Sequence, residues 1–200
     1  MTQPHAPSRD PASAADPASV ADILARQLHR AGIRRAFGMP GGEVLSLVAA
    51  LERAGIEFIL VRHENAGGFM AEAAHHLGGA PALLVATLGP GALNAINVVE
   101  NARQDRVPMI VVTGAVDAEE AQAYTHQVLD QQAVFRTVTK GSFAMTPGAA
   151  GLIADKALAL AMAPRRGPVH IDLPIRVADQ PGRAAPPAPP PPLPAAPAPS

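Results

Sequence analysis

Residues 59–72 read Ile59-Leu60-Val61-Arg62-His63-Glu64-Asn65-Ala66-Gly67-Gly68-Phe69-Met70-Ala71-Glu72. A short apolar run ends in three polar residues, and a helical pattern rich in Gly and Ala follows. This order predicts a strand that passes into a helix at Glu64. In open α/β sheets ligands bind at that edge, outside the carboxyl ends of the strands. Glu64 is therefore either a functional carboxylate or only a carboxylate in the first turn of a helix, where the dipole favours it.

The same alternation of short apolar runs and helical patterns continues in both directions along the chain. Strands are expected at 35–38, 57–61, 81–86, 107–113 and 167–174, and helices at 20–31, 43–54, 66–77, 92–103 and 147–163. Residues 115–140 have a less regular pattern, typical of a functional loop followed by a short helix. Strands separated by helices of ten or more residues imply right-handed crossovers. The predicted fold is an α/β domain with a parallel, doubly wound sheet.

Composition and charge exclude several classes of protein. Hydrophobic residues make up 48% of the 200 residues, but aromatic residues only 3%, which suits Ala-, Val- and Leu-rich helices packed on a parallel sheet. The net charge of -1, without a basic stripe, argues against a nucleic-acid partner. Cysteine is absent, which excludes disulfides and thiolate chemistry. Without an apolar run of membrane-spanning length or a signal-type segment, we expect a cytoplasmic protein and no membrane partner.

Both ends of the chain differ in composition from its middle. Residues 1–18 are rich in Pro, Ala, Ser and Asp without periodicity, and residues 179–200 are almost entirely Pro and Ala. Such segments bury too little apolar surface to offset the entropy of ordering. We therefore expect one domain over residues 19–178, beginning at a capping box formed by Ser19 and Asp22, between two disordered tails.

Two Gly-rich turns are candidates for ligand binding. Pro40, Gly41 and Gly42 follow one predicted strand, and Gly89-Pro90-Gly91 follows another. Backbone N–H groups at such strand-to-helix turns point at whatever docks there. Neither turn has the G-x-G-x-x-G spacing of dinucleotide-binding proteins, and any strand-to-helix turn favours Gly.

The histidines do not indicate a metal site. Glu72, His75 and His76 have helical spacing, but a metal site in a helical scaffold needs a second ligand pair, which is not visible. His29 and His170 are expected to be packing or surface residues. We predict no bound metal in this chain.

Six short motifs, in this order along the chain, together resemble one family. They are Phe37-Gly38-Met39-Pro40-Gly41-Gly42, Arg62-His63-Glu64, Ala71-Glu72-Ala73, Thr87-Leu88-Gly89-Pro90-Gly91-Ala92-Leu93-Asn94, the run 107–114, and Gly167-Pro168-Val169-His170-Ile171-Asp172-Leu173-Pro174. This set resembles the amino-terminal, pyrimidine-binding domain of thiamine-diphosphate enzymes, and in particular the acetolactate synthase large subunit and its relatives. The resemblance covers about residues 19–178. It implies a six-stranded parallel sheet with helices on both faces, which holds the aminopyrimidine ring of the cofactor across a dimer interface.

The resemblance also implies roles for individual residues. Glu64 would be the catalytic carboxylate that hydrogen-bonds the pyrimidine ring nitrogen and stabilises the imino tautomer. Pro40, Gly41 and Gly42 would line the pyrimidine. Gly89, Pro90 and Asn94 would hold the neighbouring loop against the cofactor. His126 and Gln127 would face the substrate.

The resemblance finally implies what else the enzyme requires. Relatives bind the diphosphate and its Mg²⁺ through a further domain with a Gly-Asp-Gly…Asn motif, and this sequence contains no Gly-Asp-Gly. The expected function is therefore the pyrimidine-binding half of a 2-oxo-acid decarboxylase or carboligase, inactive alone, which forms a homodimer or larger assembly with a separate diphosphate-binding domain or subunit. The alternative is a non-catalytic orphan or truncated domain that dimerises or regulates a relative. A flavin cannot be inferred.

Overall fold

The computed structural model describes residues 18–117, 119–123 and 126–185. Its six strands are β1 (Arg35–Met39), β2 (Glu57–Leu60), β3 (Ala82–Ala86), β4 (Met109–Ala115), β5 (Ser142–Ala144) and β6 (Val169–Pro174). Its helices are α1 (Val20–Arg30), α2 (Leu45–Arg53), α3 (Glu64–Gly78), α4 (Pro90–Asn94), α5 (Ile96–Gln104), α6 (Gln131–Phe135), α7 (Ala150–Met162) and α8 (Ile175–Asp179).

The strands form one sheet in the order β2-β1-β3-β4-β6-β5, and every pair is parallel. The prediction of a six-stranded, parallel, doubly wound sheet is confirmed. Along β1 the pairing is in register, with Phe37 opposite Ile59 of β2 on one side and Leu84 of β3 on the other. Because the chain passes from β1 to β2 and then returns to β3 on the opposite side, a crevice opens between the carboxyl ends of β1 and β3.

Helices cover both faces of the sheet. Consecutive side chains of a strand point to opposite faces, so Ile110 and Val112 of β4 join one core while Met109 and Val111 join the other. The first core packs under α1, α2 and α7, and the second packs under α3, α5 and α6. The central strand β4 is therefore apolar almost throughout, as expected of a strand buried on both faces.

Helix α1 begins as the sequence predicts. Ser19 has an extended backbone, and its hydroxyl accepts a hydrogen bond from the N–H of Asp22 at 3.1 Å. The helix expected at 147–163 begins differently, because the Thr146 side chain makes no capping bond and residues Pro147–Ala149 form a 3-10 turn before α7. The expected helix at 92–103 is divided into α4 and α5 at Ala95.

The C-terminal side of the domain continues past the expected boundary at 178. Pro181 forms an antiparallel bridge with Ser19, and the N–H of Arg183 donates to the carbonyl of Pro147 at 2.8 Å. Of the tails expected at 1–18 and 179–200, the structure describes residues 18 and 179–185. The remaining tail residues lie outside the described part of the chain.

No helix in residues 18–117, 119–123 or 126–185 has the length and apolar content needed to cross a bilayer.

Candidate functional site

Three chain segments converge at the crevice between β1 and β3. The turn containing Pro40 follows β1, the turn containing Gly89 follows β3, and the junction from β2 into α3 carries Glu64. All three lie at the carboxyl ends of parallel strands, since parallel strands end at the same edge of the sheet. This is the edge at which α/β proteins bind ligands.

Glu64 is buried, with only 3% of its surface exposed. It is the first residue of α3, and the preceding His63 caps the helix by accepting the N–H of Asn65 on Nδ1 at 3.2 Å. The helix lies close to the sheet at Gly67, where a Cβ atom would lie 3.1 Å from Cγ2 of Val61 and 3.3 Å from Cδ1 of Leu84. The absence of a side chain there allows α3 to place Glu64 directly over the crevice.

The two oxygens of the Glu64 carboxylate have different surroundings. Oε2 accepts a hydrogen bond from Nδ2 of Asn94 at 3.1 Å. Oε1 packs against Gly91, where a Cβ atom would lie 3.1 Å away. Among the described residues, none donates a hydrogen bond to Oε1. One oxygen is thus fixed by the turn after β3, and the other is free to accept a hydrogen bond from a ligand.

The turns after β1 and β3 are joined by a second carboxylate. The hydroxyl of Thr87 donates to Oε2 of Glu43 at 2.6 Å. A Cβ atom on Gly41 would lie 2.5 Å from the same carboxylate oxygen and 2.6 Å from the hydroxyl, so only Gly fits beside this pair. The Glu43–Thr87 bond therefore fixes the separation of the two turns.

A buried polar network supports the turn after β3 from the other side. Oε1 of Gln131 accepts the N–H of Gly89 at 2.6 Å. Nε2 of Gln131 donates to Oδ1 of Asp172 at 2.7 Å and to the carbonyl of Gly114 at 2.9 Å. Thr113 donates its hydroxyl proton to the same Asp172 oxygen at 2.7 Å. The network connects the ends of β4 and β6 to the turn that contacts Glu64.

Burial changes the titration of two groups in this network. Desolvation lowers the pKa of His170 to about 3, and it raises the pKa of Asp172 above its ordinary value. Hydrogen bonds from Thr113 and Gln131 act on Asp172 in the opposite direction but are the smaller effects. Nε2 of His170 lies 3.4 Å from Oδ1 of Asp172, but the contact is not an ion pair because the ring is neutral near pH 7.

The two residues expected on the substrate side lie in different surroundings. Gln127 is exposed, has a positive φ of 61°, and lies with its backbone against Gly89, where a Cβ atom would be 3.0 Å from the Gln127 carbonyl oxygen. Gln127 also lines a pocket of about 150 Å³ whose wall includes Leu88 and Asp172. His126 is exposed, and within the described residues its side chain makes no hydrogen bond.

Glu72 is bonded within the domain. Its carboxylate, 7% exposed, accepts from Nδ2 of Asn101 at 3.2 Å, and His76 lies 4.0 Å away. In the part of the chain that the structure describes, no three His, Asp or Glu side chains are grouped as metal ligands.

Sequence reasoning missed Glu43, Thr87 and Gln131. The pair Gln131-Gln132 in an irregular segment has the composition of a solvated loop, yet Gln131 is only 4% exposed. The only local signal is Asp130, whose side chain caps α6 by accepting the N–H of Ala133 at 2.9 Å. That cap predicts a helix start but not the direction of the next side chain.

Residues 18–134 match the family model described as "Thiamine pyrophosphate enzyme, N-terminal TPP binding domain". The chain is similar to the acetolactate synthase large subunit of Buchnera aphidicola subsp. Acyrthosiphon pisum, with 38% identity over 158 residues, which are 78% of this chain and 28% of that protein. It is 36% identical over 158 residues to acetolactate synthase isozyme 3 large subunit of Escherichia coli, again 78% of this chain and 28% of the relative.

A plant protein matches in the same region. Acetolactate synthase, chloroplastic, of Arabidopsis thaliana is 34% identical over 166 residues, which are 82% of this chain and 25% of the relative. The chain therefore spans about a quarter of the length of these curated relatives. The resemblance inferred from the six motifs is confirmed.

Proposed function

Because the chain belongs to the family of N-terminal TPP binding domains of thiamine pyrophosphate enzymes, we propose that it supplies the pyrimidine-binding half of a 2-oxo-acid decarboxylase or carboligase. The relatives named acetolactate synthase support this class of reaction. In this proposal the diphosphate and Mg²⁺ are held by another domain or subunit. The chain alone would bind the cofactor weakly and turn over no 2-oxo acid.

The observation that carries the proposal is the state of Glu64. Its carboxylate is buried at the start of a helix, over the switch point of the sheet, with Oε2 engaged by Asn94 and Oε1 without a donor among the described residues. A carboxylate that is only a helix-start charge is stabilised by the dipole at the surface and does not need burial. Burial with one open oxygen is the arrangement that a proton-sharing partner requires.

The surroundings of the site fit a flat heteroaromatic ring. A Cβ atom at Gly41 would lie 2.5 Å from Glu43, and one at Gly91 would lie 2.5 Å from Thr87. A side chain at either position would displace these residues, so both turns present backbone atoms to the crevice. Pro40, Gly41 and Gly42 would line one edge of the ring, and Gly89, Pro90 and Asn94 would support the other. Thiamine diphosphate, when bound, supplies the carbanion for attack on a 2-oxo acid.

In this mechanism Glu64 would share a proton with the ring nitrogen through Oε1. Asn94 keeps the carboxylate in one rotamer by its bond to Oε2. Proton transfer by such a positioned group typically contributes about 10²–10⁴-fold to a rate. Gln127 lies against Gly89 and would contact the substrate, with His126 next to it in the chain.

The test is the Glu64→Gln variant, because Gln keeps the shape and the bond to Asn94 but has no ionisable proton. Hydrogen–deuterium exchange at the thiazolium carbon is measured with the full chain and a supplied diphosphate-binding portion of an acetolactate synthase. Exchange should slow by about 10²–10⁴-fold while the free energy of unfolding changes little.

Glu72→Gln is the matched control, since Glu72 is also a buried carboxylate of α3 bonded to an asparagine. With the Glu72→Gln variant, the thiazolium carbon should exchange as fast as with the parent chain. Equal exchange by Glu64→Gln and the parent would leave Glu64 a helix-start carboxylate and favour the non-catalytic alternative.

A further inference from the structure

We infer that Gln131 is a positioning residue for Glu64, because its buried carboxamide fixes the turn Gly89–Gly91 against which the Glu64 carboxylate packs. The inference rests on the proposed role of Glu64. It adds a residue that lies 67 positions further along the chain and acts through the turn at Gly89.

Gln131 joins three strand ends with one side chain. Its oxygen accepts the N–H of Gly89 after β3 at 2.6 Å. Its nitrogen donates to Gly114 in β4 at 2.9 Å and to Asp172 in β6 at 2.7 Å, with Thr113 at 3.1 Å. At 4% exposure these bonds have little competition from water, so their geometry is retained.

The turn that Gln131 holds is also fixed at Thr87, but among the described residues Gln131 is the side chain that bonds Gly89 itself. Gly89 has φ 58° and ψ -117°, a conformation that only glycine adopts readily, and it precedes α4 without a side-chain cap. Helix α4 has only five residues, too few to be stable by itself. A fixed Gly89 N–H is therefore needed to hold this segment in one place.

The position of this turn determines the position of the Glu64 carboxylate through two contacts. Gly91, two residues after Gly89, packs against Oε1, and Asn94, in the same short helix, donates to Oε2 at 3.1 Å. Both contacts of the carboxylate thus come from one segment. A shift of that segment moves both together.

The other end of the network is rigid. Ser142 lies 2.7 Å from Nδ1 of His170, whose Nε2 lies 2.8 Å from the Thr113 hydroxyl. The ring of Phe135 stacks on His170 with centroids 3.9 Å apart. Gln131 therefore connects the turn at Gly89 to a fully packed anchor.

The experiment uses the labelled full chain without cofactor, and compares Gln131→Leu with Ser142→Ala by NMR and urea unfolding. Both variants remove hydrogen bonds of the same network, and both should lower stability. Only Gln131→Leu should shift the Glu64 carboxyl and Asn94 side-chain resonances, and its Gly89 amide should lose protection from exchange by about tenfold or more. Unchanged Glu64 and Asn94 resonances in Gln131→Leu would overturn the inference.

Gln131→Asn is the second variant, in case the apolar side chain prevents folding. It keeps the amide but is one methylene too short to reach Asp172 and Gly89 together. It should fold and still expose the Gly89 amide. Parent-like Gly89 protection together with parent-like Glu64 resonances would overturn the inference.

These readouts do not depend on the proposed function. If Glu64→Gln leaves cofactor exchange unchanged, the coupling between Gln131 and Glu64 can still be measured in the cofactor-free chain. If the coupling fails, the result for Glu64→Gln stands. With a supplied diphosphate-binding portion, Gln131→Asn should slow thiazolium exchange by up to about 10²-fold, the cost of displacing a catalytic group by about 1 Å.

Discussion

His170 is the most completely enclosed titratable side chain of the network, with none of its surface exposed. Its donors and acceptors balance when Nε2 carries the proton and donates to Thr113, which itself donates to Asp172. Nδ1 then accepts from Ser142. The neutral ring is therefore fully satisfied, and burial opposes a second proton because the charged ring would lose its hydration.

This arrangement predicts a pH dependence of stability. The pKa of His170 is about 3 in the folded chain and about 6.5 in the unfolded chain, so the unfolded state binds the proton more readily between these values. The contribution of His170 is full above about pH 6.5 and is lost as the pH falls toward 3. Asp172 acts in the opposite sense, because its raised pKa makes folding less favourable as the pH rises through about 3.9.

Urea unfolding of the His170→Gln variant between pH 3 and 7 tests the predicted direction of this pH dependence. The variant should be less stable than the parent at pH 7, and its free energy of unfolding should fall less steeply as the pH decreases. His126→Gln, which changes an exposed histidine, should follow the parent. A parent-like slope in His170→Gln would mean that His170 titrates as an exposed residue.

At the scale of the element, the short helix α4 is shaped by the space around Gly91. A Cβ atom there would lie 2.5 Å from Cγ2 of Thr87 and 3.1 Å from Oε1 of Glu64. Ala is a better helix former than Gly by about 1 kcal/mol, but the clash with a strand-end side chain and a buried carboxylate outweighs this preference.

Gly91→Ala should therefore lower the midpoint of thermal unfolding and, with a supplied diphosphate-binding portion, slow thiazolium exchange. Gly78→Ala in α3 is the matched control, since no atom lies within 4 Å of a Cβ built there. Gly78→Ala should be neutral or stabilising by about 0.5–1 kcal/mol. If both substitutions raise the midpoint of thermal unfolding equally, a steric clash at Gly91 is not the explanation.

At the scale of the whole molecule, α3 and α4 present an exposed apolar stripe. It consists of Phe69, Met70 and Leu77 in α3 and Leu93 in α4, which are 44%, 43%, 91% and 45% exposed. Exposed apolar side chains on two helices that contact each other indicate an interaction site. The expected dimer would cover this stripe with a second copy of the chain.

Sedimentation of Phe69→Asp checks the dimer. Losing a buried Phe costs about 1.5–3 kcal/mol, so the dissociation constant should rise by about tenfold or more. Leu152→Asp is the control, because Leu152 is 62% exposed on α7, across the sheet from the stripe. A dimer weakened by Leu152→Asp but not by Phe69→Asp would place the interface elsewhere.

The boundaries of the domain can be checked by limited proteolysis. The tails predicted from the sequence composition are expected to be cut first. The resistant core should extend from about residue 18 to about residue 183, since Arg183 still bonds to Pro147. Early cleavage within α2 would contradict these boundaries.

The sequence by itself determined the elements and the place of Glu64, because both depend on local patterns. Apolar runs and helical periodicity are sufficient to find β1, β2, β3, β4 and β6, and the change of pattern at Glu64 marks a strand-to-helix junction. The strand β5 was not predicted from the pattern, because its three residues, Ser142–Ala144, are a strand only by pairing with β6 at the sheet edge.

Only the tertiary structure decided how the site is held. The bonds Asn94–Glu64, Gly89–Gln131 and Thr87–Glu43 join residues 30, 42 and 44 positions apart. Their partners meet because the strand order places the carboxyl ends of β1, β3, β4 and β6 side by side. Local periodicity carries no information about which strands become neighbours, so a buried Gln131 cannot be distinguished in sequence from a solvated loop residue.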